Sequence, residues 1–325
     1  MMINDSVIIS IANSLSVESG FVKSKLEPFL DKSASLSYSK LKHMTSPMNF
    51  VKNLISPDMP NVGMSFGSLV DLLMTNEDRF DDKYKINDIS PSPGNQTDLV
   101  EQVLKGDKSI PIVLRFKSAF ESIYKRGKVE DYAAILLYCK NIESGITLIT
   151  QKQYNEAKIV SDNLRSKPEI EDILSQADGL QKYLEFEYRG WKFRSILDIL
   201  SLDIFYDLKF VKNLNPDVFQ RDVEKFGYDL QFGLYNIALK ILGLHTHKTC
   251  GKFIAYDNAG NYSIMKFGDD YMNYAEKKVD VYLNRLERII QENAWNRSYD
   301  FFTPNRVITK PGFIKGFSEL DLLVA

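Results

Sequence analysis

The spacing of hydrophobic positions changes near residue 180. Up to that point the chain reads mostly as helices, and beyond it apolar and polar positions begin to alternate as they do along strands. "SFGSLVDLLMT" predicts a short apolar helix, and "VLRFKSAFESIYKRG" and "VEDYAAILLYCKNI" predict two helices joined at Gly127. "SYSKLKHMTSPMNFVKNLI" has helical spacing interrupted at Pro47, and "PSPGNQT", residues 91–97, reads as a loop. Thr150 and Gln153 form a capping-box pattern that opens a helix ending at Pro168. "YLEFEYRGWKFRSILDIL" then predicts two strands around Gly190, and "DIFYDLKFV" a third. A helix over "FGYDLQFGLYNIALKIL" follows, then a hairpin of "KFIAYDN" and "NYSIMKF" around Asn258–Asn261. The last helix, "DYMNYAEKKVDVYLNRLERIIQENAW", carries an apolar stripe of Val279, Leu283, Leu286 and Ile290. This order predicts a mixed α/β (α+β) fold with one central sheet flanked by helices. The expected division is a helical part over 1–180, the sheet with its helices over 181–295 in one continuous domain, and an irregular tail over 296–325.

Composition narrows the function classes. The chain has 325 residues, 44% hydrophobic and 26% charged, with a formal net charge of −2. Any contact with nucleic acid therefore needs a local basic patch. Two distant cysteines, Cys139 and Cys250, build no disulfide framework, zinc site or iron–sulfur cluster. No apolar run reaches a membrane-spanning length, and "MMINDSVIISIANSLS" lacks the basic start of a signal peptide. A soluble, cytoplasmic protein with no membrane partner is the expectation.

Charge inside the predicted strands is the unusual feature. In "ILDILSLDIFYDLK" Asp198, Asp207 and Lys209 interrupt runs that otherwise read as buried. Lys192, Arg194, Ile196 and Asp198 share one strand face, and a turn at Ser201–Asp203 would bring Asp198 close to Asp207. Two close carboxylates resist ionising together unless a cation lies between them, and oxygen ligands suit Mg²⁺ or Mn²⁺. Lys209 would project beside that cation, where it could orient or activate a water or stabilise charge on a phosphate. The bland alternative is a turn-capping Asp198 and an Asp207–Lys209 ion pair at a sheet end.

Two aspartates nine positions apart on two strands, the second opening D-x-K, followed by a helix with Q-x-x-x-Y, resemble the PD-(D/E)xK nuclease superfamily. Within it the chain is similar to phage and prophage exonucleases of the exodeoxyribonuclease VIII kind, with lambda exonuclease and RecB-type nuclease domains as wider relatives. The likeness covers roughly residues 35–295: "LSYSKLKHMTSPMNF", "MSFGSLVDLLM", "TQKQYNEAKIVSDNLRSKPEIEDIL", "WKFRSILDIL", "IFYDLKFV" and "FGYDLQFGLYNIAL" fall in the family's order. It implies a restriction-endonuclease-like core with Asp198 and Asp207 as metal ligands and Lys209 as the catalytic lysine. Gln231 and Tyr235 would face the active site or the DNA backbone, with Tyr228 ranked behind them. The family's G-x-x-x-H helix here reads Gly67 to Asp71, so Asp71 takes the place of the usual histidine ligand. Glu185 and Glu187 are alternatives for a supporting acid, and Arg189, Lys192, Arg194 and Lys212 are candidate phosphate contacts. His43 stands alone, His245, His247 and Cys250 mimic a metal cluster without a fourth ligand, and Lys125, Arg126 and Lys128 read as a solvated helix end.

The resemblance implies an Mg²⁺-dependent exodeoxyribonuclease acting on duplex DNA from a free end, 5′ to 3′, in phage-type recombination with a single-strand annealing protein. It also implies a homo-oligomeric ring, a trimer or tetramer. A Cas4-like enzyme is disfavoured because its cluster cysteines are missing. The other classes are a non-catalytic DNA-binding or assembly protein on the same fold, and a structure-specific or restriction-type endonuclease.

Overall fold

The computed structural model describes residues 2–56, 62–201, 204–244 and 250–304. Leu202 and Asp203 of the expected turn, His245 and His247, and the tail from residue 305 lie outside the described residues. The chain forms two compact units that interleave in sequence: 1–58, 187–193 and 277–325 make one, 59–186 and 194–276 the other.

The first unit holds the amino-terminal helices Asp5–Leu15, Ser19–Leu30 and Pro47–Ile55. Pro47 does not interrupt a helix but starts one. Ser46 caps it by accepting from the Asn49 amide at 3.1 Å, and Pro at the first turn gives up no needed donor. Strand β1 (Ser35–Leu36) belongs here. Phe29 packs edge-on against Phe50 at 5.5 Å and lies 6.0 Å from Trp295, with both tryptophans, Trp191 and Trp295, fully buried. On the helix Asp269–Glu292, Val279, Leu283 and Leu286 are buried as the stripe predicts, but Ile289 rather than Ile290 takes the next buried place. At 100° per residue Ile290 lies nearer the centre of the stripe than Ile289 does, so the helix period alone does not account for the exchange.

The second unit carries β2 (Tyr84–Ile86), β3 (Thr147–Ile149), β6 (Ile204–Phe210), β7 (Cys250–Tyr256) and β8 (Tyr262–Lys266), and most of β4 (Gly179–Tyr188) and β5 (Trp191–Ser201). The large sheet runs β1-β5-β6-β7-β8, with β4 also on β5. It is mixed: β5 and β6 are antiparallel, β6 and β7 parallel, β7 and β8 antiparallel. Arg189 and Gly190 make the two-residue link between β4 and β5 at φ 53° and 75°, the left-handed backbone that a tight hairpin requires. β5 alternates buried and exposed from Trp191 to Leu197, and then Ile199 and Leu200 are both buried. β2 and β3 pair in parallel as a separate small sheet that the helical reading of this region did not foresee. The loop over 91–97 is shorter than expected, because the helix Asn95–Lys105 already begins after Gly94.

The capping box is present, with the Thr150 hydroxyl accepting from the Gln153 amide at 3.1 Å and the Gln153 side chain returning to the Thr150 amide. The helix so fixed packs Val160 and Leu164 into one core with Leu69, Leu73, Ile199, Leu208 and Ile254. A second core of Leu99, Val103, Phe116, Phe120, Ile135 and Cys139 joins three helices of the same unit.

Candidate active site

β5 and β6 part company at the carboxylates. Their ladder runs from Ser201–Ile204 to Ile199–Tyr206. Beyond it, Asp198 Oδ2 accepts from the Leu208 backbone N–H at 2.9 Å, and the Ile196 carbonyl accepts from the Tyr235 hydroxyl at 2.7 Å. Side chains thus satisfy backbone groups that the ladder leaves open, as buried polar backbone requires. Asp207, 1% exposed, sits on β6, which continues its parallel pairing with β7 through Phe210.

Each of three acids has its own donor. The Lys209 ammonium lies against Asp207 Oδ2. Gln181, on β4, donates to Asp198 Oδ1 at 3.0 Å. Tyr256, on β7, donates to Asp71 Oδ1 at 2.7 Å, and its hydroxyl also lies 3.1 Å from the Gly67 carbonyl. Asp71 comes to this region on the helix Val62–Thr75. Gly67 is what lets that helix approach β6: a methyl group there would sit 2.8 Å from the Phe210 Cβ.

The electrostatics show that these acids feel one another. Burial and the neighbouring Asp207 push the Asp198 carboxyl up to about 7. Burial also raises Asp207, although Lys209 and the Tyr235 hydroxyl pull the other way. Asp71 is raised well above the carboxylate range, first by burial and then by the charge of Asp198. Burial alone would lower Lys209, but Asp207 and Asp198 overturn it and hold the ammonium protonated above its ordinary range. Burial and the two aspartates keep the Tyr235 hydroxyl protonated.

Gln231 and Tyr235 act as a pair, since the Gln231 amide donates to the Tyr235 oxygen at 2.7 Å and that oxygen lies 3.4 Å from Asp207 Oδ1. Tyr235 is buried, and its hydroxyl touches both the Ile196 carbonyl of β5 and the Asp207 carboxylate of β6. Tyr228, ranked lower from sequence, lies with its ring 4.8 Å from the Lys209 ammonium, a cation–π contact. Gln181 and Tyr256 were missed. Strand alternation marks neither, and only the fold brings them to the acids.

The remaining expected residues fall elsewhere. Glu185 and Glu187 are exposed on β4, and Glu185 accepts from the Tyr183 hydroxyl at 2.8 Å. The β4 side chain that meets Asp198 is Gln181. Arg194 and Lys212 are exposed in the unit that holds the carboxylates. Arg189 and Lys192 belong to the other unit, where the Arg189 guanidinium is engaged by Asn284 at 2.8 Å, Glu287 at 3.0 Å and Asp280 at 3.4 Å. A cavity of about 830 Å³ lined by Phe219, Val223, Phe253, Phe267 and Tyr271 does not include Asp71, Asp198 or Asp207.

Among the described residues no three acidic, histidine or cysteine side chains converge as a finished cation cage. The donor chemistry nevertheless fits a hard divalent cation: all three acids offer oxygen, and their mutual repulsion is relieved only by added positive charge.

A family profile described as "PDDEXK-like domain of unknown function (DUF3799)" matches residues 37–299. No curated protein matches the chain. Among solved structures, a candidate exonuclease from Eubacterium rectale aligns over 94% of this chain and 97% of its own, at 16% identity and a TM-score of 0.49. That likeness is too slight to carry weight beyond the family match. Among the described residues no helix is long and apolar enough to cross a membrane. With its mixed sheet, its flanking helices and a family match spanning most of its length, the chain belongs to the PDDEXK-like domains of unknown function, a family with a nuclease-like fold.

Proposed function

We propose that the protein is a divalent-cation-dependent deoxyribonuclease that hydrolyses phosphodiester bonds of duplex DNA from a free end. The observation that carries this reading is the pair of buried Asp207 and half-buried Asp198, with more carboxylate than Lys209 can neutralise. Asp198 and Asp207 would hold Mg²⁺ or Mn²⁺, with Asp71 as the third acid. Such a cation supplies Lewis-acid polarisation of the phosphate and stabilises charge on the leaving oxygen.

The chain's own groups divide the remaining work. Lys209, kept as an ammonium by Asp207 and Asp198, is a poor base at neutral pH, and its role is to stabilise negative charge on the phosphate. Tyr235, held by Gln231, buttresses Asp207 and fixes the spread of β5 from β6. Lys192, Arg194 and Lys212 are proposed phosphate contacts, which position DNA without reading sequence. Arg189 is a weaker candidate because its guanidinium already serves the helix Asp269–Glu292.

Action from 5′ to 3′, a single-strand annealing partner, a phage-type recombination role in the cytoplasm and a ring of three or four subunits rest on the family resemblance of the motifs alone. Incubation with linear and covalently closed circular duplex, in Mg²⁺ or EDTA, tests the core reading. Loss of linear duplex only, and only with Mg²⁺, is the expected result. Cleavage of the closed circle would make the protein an endonuclease, and no cleavage of either would leave a DNA-binding protein on this fold. Light scattering under the same conditions tests the ring.

A further inference from the structure

Gln181 stands out because its backbone is unfavourable where it is. Its φ is 48°, left-handed, inside a strand and at a residue with a side chain. Such conformations persist only where the surroundings enforce them. Here they do: just before β4, the Asp178 amide donates to the Leu200 carbonyl at 2.7 Å, and the Ser201 hydroxyl donates to the Gln176 carbonyl at 2.9 Å. The chain entering β4 is thereby anchored on the end of β5, two residues beyond Asp198. From that anchor Gln181 delivers its amide to Asp198 Oδ1, while the Leu208 N–H holds Oδ2.

We infer that Gln181 is a positioning residue that fixes the orientation of the Asp198 carboxylate for a divalent cation. The inference rests on the metal-dependent reading above. The chemistry of the donor is the point. An amide fixes the carboxylate plane without neutralising it, and each oxygen keeps a lone pair for a cation. A lysine or arginine in the same place would occupy the cation's electrostatic position instead.

Three variants of the full chain separate this role from simple packing. Gln181→Gly removes the donor and accepts the left-handed backbone without penalty. Its metal-free melting temperature should equal or exceed that of wild type, while Mn²⁺ affinity by calorimetry weakens about 10-fold, the usual cost of losing an outer-shell partner. Under saturating Mg²⁺ its kcat should fall with KM for DNA unchanged. Gln181→Lys should bind Mn²⁺ more weakly still, although its metal-free form is at least as stable as wild type. Gln181→Asn tolerates the same backbone but is one methylene short, and it should behave as the glycine variant does.

Wild-type Mn²⁺ affinity in all three variants would overturn the positioning role and leave the nuclease reading intact. So would a glycine variant that melts well below wild type yet binds Mn²⁺ normally, since that marks a packing residue. Failure of the wild-type chain itself to bind Mn²⁺ would overturn both.

Discussion

Arg115 and the Asp198–Asp207 pair both bury charge in the same unit, and they are built in opposite ways. Arg115, 7% exposed, meets both oxygens of Glu143 and also donates to the Val103 and Ile110 carbonyls. Its hydrogen bond, with a second from Lys108, draws the Glu143 carboxyl below its usual range. Around Lys209, three acids share one ammonium, and the acids titrate above their usual range. A buried guanidinium that is matched by a carboxylate at the surface and by backbone carbonyls explains itself as structure. A surplus of carboxylate, with Asp207 buried and Asp71 and Asp198 half-buried, does not, and it persists where the missing positive charge arrives from outside.

The largest expected effect tests the unmatched site. Asp207→Asn and Lys209→Ala should each lower Mg²⁺-dependent hydrolysis of linear duplex by about 10³-fold. In EDTA the Asp207→Asn protein should melt no lower than wild type, because a repelling charge has gone. A variant that unfolds while its folded fraction keeps full activity would make Asp207–Lys209 a second Arg115–Glu143. Next in size is the converse: Arg115→Ala should lower the melting temperature by about 5 °C, with activity per folded molecule unchanged. Asp71→Ala should raise the Mg²⁺ concentration for half-maximal rate about 10-fold, and Asp71→His should recover part of it. An unchanged Mg²⁺ profile in Asp71→Ala would remove Asp71 from the site.

The smallest effect is a difference of slope. The folded protein keeps a proton on Asp198 up to about pH 7, whereas its ordinary value is 3.8, so the unfolded chain releases it earlier. The stability of the metal-free protein therefore falls as pH rises from about 4 to 7 on this account, and Asp198→Asn should flatten that limb. Glu143 has the opposite sign. Its value is lowered in the fold, so its contribution is present above the ordinary carboxylate range and is lost on acidification. Melting curves in EDTA across this range should show the Asp198 limb flattened in one variant and the acid limb flattened in Arg115→Ala. Identical slopes in all three proteins would erase the distinction.

Sequence pattern reached the central site more readily than its supports. Alternation in "WKFRSILDIL" and "IFYDLKFV" was enough to place Asp198 and Asp207 on neighbouring strands, because strand period and a short connection act locally. Asp71 was singled out in a different way, through the resemblance of its helix to the family's G-x-x-x-H segment. Gln181 was not, since its approach depends on a left-handed residue and on contacts made with the far end of β5. The pairing of β2 with β3 was equally silent: three-residue strands more than sixty positions apart leave no periodicity to read. Pro47 and Gly94 misled in a simpler way, each marking a helix start where a break or a loop was expected.

The bond from the Leu208 amide to Asp198 gives the site a built-in reporter. Most amides of a central strand exchange with solvent only when the sheet opens, and their nitrogen resonances sense little of the chemistry nearby. This one ends on a carboxylate instead of a carbonyl. Its proton therefore feels every change in the charge and orientation of Asp198, whether by titration, by an arriving ion or by the loss of Gln181. A single backbone signal, followed while Mg²⁺ is added, would time events at the acids without any label on the DNA.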